Sequence, residues 1–208
     1  MIQRQRKTKV PCLGCFLHLS RCICHLIPSL ITRTKLTLIV HAKELKRTTN
    51  TGRLALKSLQ NSEMRVRGQT RSPVDLTDLI SQDYHTLLFF PSDEASELTI
   101  EYIQSISKPV HLLVPDGSWR QASKVATRHQ ELKQVPRVMI SKPNLGIRHL
   151  RAESFAEGMS TLEAIAEAYR ILEGEAVFQS LKKVYQAKLE NTLRGRGQLN
   201  DLIEPTFF

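Results

Sequence analysis

The chain has 208 residues, 41% hydrophobic and 24% charged, enough to bury a core of its own and most simply one soluble domain. Thirty Lys and Arg against twenty Asp and Glu leave a net charge of +10 and a pI of about 9.7, which points to a polyanionic partner, nucleic acid first and an acidic membrane surface second. No apolar run reaches the roughly 18 residues that span a bilayer, and no clean signal peptide follows the basic N-terminus, so a cytoplasmic protein without a membrane segment is expected.

In chain order, residues 1–9 form a basic arm with Arg4, Arg6, Lys7 and Lys9, either a solvated tail or an RNA-touching one. Cys12-x-x-Cys15 follows, then Cys22-x-Cys24, so that all four cysteines fall within thirteen positions. Four thiolates so close suit one tetrahedral structural zinc, held by Cys12, Cys15, Cys22 and Cys24. His18 and His25 stand near enough to substitute or to support the ligands. Disulfides fit poorly because nothing marks the chain as exported, and a redox C-x-x-C leaves the second pair unexplained. Residues 1–30 are therefore read as a small unit ahead of a main domain over 31–208.

Leu36 to Val40 reads as a buried strand ending at His41, with a helix following from near Asn50 to Asn61. Lys43, Lys46, Arg47 and Arg53 make a basic patch beside that strand end, suited to phosphates that position RNA without reading it. Arg65, Arg67 and Arg71 are assigned to a polar loop, as a solvated edge in preference to a second phosphate track. Leu87 to Ser92 is a second buried strand, with Asp93, Glu94 and Glu97 placed where a helix N-terminus favours acids.

Val110 to Val114 is a third strand, running into Pro115-Asp116-Gly117-Ser118-Trp119. An apolar run that stops at Pro-Asp-Gly is a strand ending in a sharp turn, and Ser118 with Gln121 fits a capping box for the next helix. Ordinary turn and cap chemistry accounts for these residues too. Arg120, Lys124 and Arg128 recur every four residues and share a face of that helix, as an RNA backbone stripe or a solvated face. Pro136 to Ser141 is a fourth strand, followed by a loop over 142–158 with Asn144, Gly146, Arg148, Arg151 and Glu153. Ser160 and Glu163 form a capping box for a helix over Thr161 to Glu173, and a last helix runs from Glu175 to about Asn191. The apolar end, Ile203 to Phe208, closes the chain.

Strands alternating with helices imply an α/β sheet covered on both faces. Neither a Rossmann G-x-G-x-x-G nor a Walker P-loop is present. The motifs add a resemblance. Asp116-Gly117-Ser118-Trp119 resembles the D-x-T/S-W signature of the DTW-domain family. The paired cysteines, the His41-x-x-Glu44 and Thr49-Asn50-Thr51-Gly52-Arg53 block, the Pro91-Ser92 strand end and Ser160-Thr161-Leu162-Glu163-Ala164 occur in the same order as in that family, from Cys12 to about Gly174. Its members are tRNA-uridine aminocarboxypropyltransferases related to the SPOUT methyltransferases.

The resemblance implies a SPOUT-like mixed or parallel sheet with a C-terminal trefoil knot that builds the S-adenosylmethionine pocket. It implies transfer of the 3-amino-3-carboxypropyl group of S-adenosylmethionine to N3 of a tRNA uridine, most simply in the variable loop, releasing methylthioadenosine. Asp116 would be the catalytic base. Phe90, Pro91, Ser92, Val114, Asp116, Gly117, Trp119, Ser160 and Thr161 would line the cofactor site, and Lys43, Arg47, Arg53, Arg120, Lys124 and Arg128 would hold tRNA. The alternatives are a non-catalytic zinc-containing RNA-binding protein and a SPOUT-like RNA methyltransferase.

Overall fold

Among the described residues, six strands form one sheet in which every pairing is parallel: β1 (Lys35–His41), β2 (Ser62–Arg67), β3 (His85–Phe89), β4 (Ser96–Glu97), β5 (Val110–Asp116) and β6 (Arg137–Met139), in the spatial order β2-β1-β5-β3-β6-β4. The computed structural model describes residues 10–69, 73–141 and 159–199. The basic arm, Arg71, the loop residues Asn144 to Glu153 and the apolar end from Ile203 lie outside them.

Parallel strands are covered on both faces and so read as continuous apolar runs, which is why β1 and β5 stand out in the sequence. Side chains alternate between the two faces. Leu36, Leu38, Val40, Leu112, Val114, Leu87 and Phe89 point into the larger core, with Leu54 of α1 (Gly52–Ser58), Ile165 and Tyr169 of α4 (Thr161–Glu173), and Leu181 and Val184 of α5 (Glu175–Gly195). The short α2 (Ile100–Gln104) joins this layer through Tyr102 and Ile103. Ile39, Leu88 and Leu113 point the other way, against Val125 of α3 (Trp119–Arg128) and Leu76, Leu79 and Leu132.

The capping boxes stand where the sequence puts them. Gln121 accepts from the Ser118 N–H at 2.8 Å at the start of α3, and Glu163 from the Ser160 N–H at 2.9 Å at the start of α4. Three expectations need correction. The first helix is shorter than its apolar period suggests, because the chain leaves it at Leu59 to enter β2. The Arg65 and Arg67 segment is an edge strand, not a loop; Ser62 to Arg67 pairs along β1 in register, and its polar residues suit a strand with an open edge. Asp116 belongs to the end of β5, not to the turn after it.

The cysteine segment contributes to the larger core. Cys15, Leu17 and Ile23 are buried in the larger core. Lys188 of α5, 1% exposed, donates through Nζ to the Cys15 carbonyl at 2.7 Å. Burial holds that ammonium down, to about 8. Among the described residues no helix is long and apolar enough to cross a membrane.

Candidate active site and metal centre

The chain runs from β1 to β2 on one side and from β5 to β6 on the other, so the direction of winding reverses between β1 and β5. Crevices in open parallel sheets lie outside the carboxyl ends of the strands at such a switch point. Val40 of β1 pairs there with Asp116 of β5.

Asp116 is 6% exposed and faces the layer of α1 and α4. Asn50, in the turn before α1, donates Nδ2–H to its Oδ2 at 2.5 Å. Thr161, the first residue of α4, donates Oγ1–H to its Oδ1 at 2.6 Å. Both donors are themselves fixed. Asn50 Oδ1 accepts from the Arg53 N–H at 3.3 Å, and the neighbouring Thr51 hydroxyl accepts from the Leu162 N–H at 3.1 Å. The strand end, the turn before α1 and the start of α4 thus converge on one carboxylate. A buried carboxylate held by two donors is oriented, which separates it from an ordinary turn aspartate.

Sequence reasoning assigned no role to Asn50, although it lies in the Thr49-Asn50-Thr51-Gly52-Arg53 block. The signal was an amide two residues ahead of a helix, in the connection that follows a buried strand. Thr161, expected at the cofactor, bonds to Asp116. Ser160 serves as the cap of α4.

At the end of the neighbouring β3, Phe90 packs on Trp119, their rings 5.0 Å apart and tilted by 44°. Trp119 is 55% exposed, so it is not a core plug. The Ser92 hydroxyl is buried with no hydrogen-bond partner among the described residues, a group that a polar ligand atom would satisfy. Phe90, Ser92, Trp119 and Asp116 therefore offer an aromatic wall, an orphaned hydroxyl and a carboxylate at adjacent strand ends. Pro91 and Gly117 lie on the same rim, whereas Val114 is 3% exposed and fills the core. A cleft of about 340 Å³ lined by Tyr84, His85, Tyr102 and Lys108 opens at the other end of the sheet and contains none of these residues.

His41 ends β1 beside Asp116 but on the opposite face. Its Nδ1 accepts from the Lys43 N–H at 3.2 Å, and burial followed by the charges of Arg67, Lys43 and Lys124 holds its imidazole below the usual range. Arg120, Lys124 and Arg128 line one face of α3, and none has a carboxylate partner among the described residues. Repulsion from Arg128 and then Arg120 lowers the Lys124 ammonium. Arg47 pairs with Glu44 at 3.1 Å. Arg53 is turned away from this group, its guanidinium 3.6 Å over the ring of Phe16 in the cysteine segment.

The four cysteine sulfurs lie within 4.8 Å of one another. The separations Cys12–Cys22, Cys12–Cys24 and Cys15–Cys22 are 3.4, 3.6 and 3.9 Å. A tetrahedral zinc with sulfurs at about 2.3 Å has edges of about 3.8 Å, whereas a disulfide needs about 2.05 Å. The donor set therefore fits one zinc with no open position. A Cβ on Gly14 would stand 2.5 Å from Cys24 Sγ, so only glycine lets the loop wrap the centre this closely. Backbone N–H groups of Cys15 and Gly14 hold the Cys12 thiol down, to about 6, whereas burial and then the adjacent thiols push Cys24 up to about 12. A divalent cation is what would let four such thiols deprotonate together.

Comparison with known proteins bears on this arrangement. A family model described as the DTW domain matches residues 9–193. A protein of Macaca fascicularis, tRNA-uridine aminocarboxypropyltransferase 2, is 25% identical over 174 residues, covering 80% of this chain. The chain spans 58% of the length of that relative. No solved structure matches it significantly.

Proposed function

The chain belongs to the DTW-domain family, and from that premise we propose that it transfers the 3-amino-3-carboxypropyl group of S-adenosylmethionine to N3 of a tRNA uridine, most simply one in the variable loop. The observation that carries this reading is Asp116, buried at the switch point with both oxygens held by Asn50 and Thr161.

Uracil N3–H is a weak acid and must lose its proton before N3 can attack. Asp116 takes that proton as general base. The N3–Cγ bond forms, the Cγ–S bond breaks with its electron pair going to sulfur, and methylthioadenosine leaves. A sulfonium activates all three of its carbons, so the protein decides by position which one reacts, and positioning of this kind contributes several kcal/mol. Asn50 and Thr161 supply it on the carboxylate side. Phe90, Pro91, Ser92, Gly117 and Trp119 hold S-adenosylmethionine, with the Ser92 hydroxyl gaining the partner it lacks. The four-cysteine centre holds zinc in a structural role, away from the chemistry. A cytoplasmic location and a SPOUT-like C-terminal knot belong to the same proposal.

The test is nucleoside mass spectrometry of unmodified tRNA incubated with the protein and S-adenosylmethionine, with Asp116→Ala alongside. A uridine that gains the aminocarboxypropyl mass only with the unaltered protein supports the reading. A methyl gain makes the protein a methyltransferase, and tight tRNA binding with no modification makes it an RNA-binding protein.

A further inference from the structure

On the face of the sheet opposite Asp116, the last rung of β1 and β2 pairs His41 with Arg67. Arg67 is 7% exposed, although sequence reasoning placed it on a solvated edge. One end of its guanidinium donates to the Gln121 carbonyl at 2.7 Å, while its Nε is buried without a partner among the described residues. No acidic group neutralises it among the described residues. A buried arginine with part of its fork unused and no counter-charge is costly unless an anion completes it.

The surroundings are cationic. Lys43 follows His41 in the next turn, and Lys124 and Arg128 approach from α3, near enough to act electrostatically on His41 and Arg67 respectively. The acidic group felt by His41 is Glu44, and it pairs with Arg47. Gly68 keeps this corner open; its φ is +81°, and a Cβ there would stand 2.7 Å from His41 Nε2. Along α3, four-residue steps advance about 6 Å, so Lys124 and Arg128 present cations in sequence.

We propose that His41, Lys43, Arg67 and Lys124 form a phosphate-binding pocket for one backbone phosphodiester of the RNA substrate, with Arg128 meeting the next. Arg67 supplies a planar fork for two phosphate oxygens, His41 the Nε2–H of its ring, whose Nδ1 accepts from Lys43, and the lysines point charge. The pocket rests on the RNA substrate proposed above. It holds the strand on one side of the rim while the target uridine reaches the other.

The experiment measures binding of an unmodified tRNA transcript, without S-adenosylmethionine, across a salt series. It compares the unaltered protein, Lys43→Gln/Lys124→Gln, Arg67→Lys, and a Lys182→Gln/Lys183→Gln control on α5, all checked for unchanged melting. Each phosphate contact contributes about 0.7–0.9 to the slope of log affinity against log salt. The Lys43/Lys124 variant is expected to lose about 0.7–0.9 from that slope, the share of one phosphate, and at least tenfold in affinity. Arg67→Lys should weaken binding with little change in slope, and the control should do neither. An unmoved slope in the Lys43/Lys124 variant, or an equal loss in the control, overturns the pocket. So does inorganic phosphate binding this corner as tightly as tRNA, which would make it a free-phosphate site.

Parallel assay of uridine modification separates the two readings. If the unaltered protein modifies tRNA while the slopes do not move, the pocket alone falls. If the slopes move as expected and no uridine is modified, the transferase reading falls and the pocket stands. If tRNA does not bind, both fall.

Discussion

Replacing Thr161 by Val isolates one hydrogen bond at the carboxylate. Valine keeps the branched shape and the methyl that faces α1, and leaves the Ser160–Glu163 cap intact, but removes the O–H that Asp116 Oδ1 accepts at 2.6 Å. Hydrogen bonds to charged groups contribute about 1.5–3 kcal/mol, and 1.36 kcal/mol is tenfold in rate. The expected loss in kcat/KM for tRNA, at saturating S-adenosylmethionine, is therefore about 10- to 150-fold, with Thr161→Ser restoring most of it. The assay is the initial rate of aminocarboxypropyl incorporation into a tRNA transcript, with melting measured in parallel. If Thr161→Val stays within about twofold of the unaltered protein while Asp116→Ala is inactive, the carboxylate does not depend on this bond, and the reasoning fails.

Other outcomes can be measured on the same protein. His111, 1% exposed on β5, shares a 2.7 Å hydrogen bond with Thr37 and one of 3.0 Å with the Leu79 carbonyl, and burial holds its imidazole down to about 4. The unfolded chain takes its proton near pH 6.5 and the folded chain only near 4, so stability is full above 6.5 and falls between the two by about 3 kcal/mol. Urea unfolding across that range should show this extra acid loss relative to His111→Asn; parallel curves for the two proteins would refute it. Atomic emission should find one zinc per chain. Chelation should release four reactive thiols and lower the melting temperature, whereas thiols already reactive before chelation would remove the metal centre from the account. Gly68→Ala forces a side chain into a left-handed backbone and against His41, and should cost about 1–2 kcal/mol, or about 2–8 °C in melting. An unchanged melting curve would contradict that geometry.

The sequence announces some parts of this molecule and hides others for physical reasons. β1, β5 and the helix over 161–173 are strong signals because a strand buried on both faces is a continuous apolar run and a capping box is a local pattern. β2 is hidden because an edge strand carries polar residues, and β4 and α2 are too short to show a period. Asp116 stands out through its motif. Its holders do not, since Asn50 and Thr161 lie 66 and 45 residues away and meet it only when the strand ends converge. Arg67 was misjudged for a related reason: charge suggests a surface, and only the packing of α3 over the sheet's rim buries it.

The bond from Lys188 to the Cys15 carbonyl joins positions 173 residues apart. During synthesis the cysteine loop leaves the ribosome more than 150 residues ahead of Lys188, which bonds to it. The buried Cys15 lacks its bond to Lys188 until then. The loop is made well before it is completed, so a chain halted before residue 188 holds its thiols on an unfinished scaffold. Folding here closes a ring rather than extending a line, and the final helix acts as the clasp.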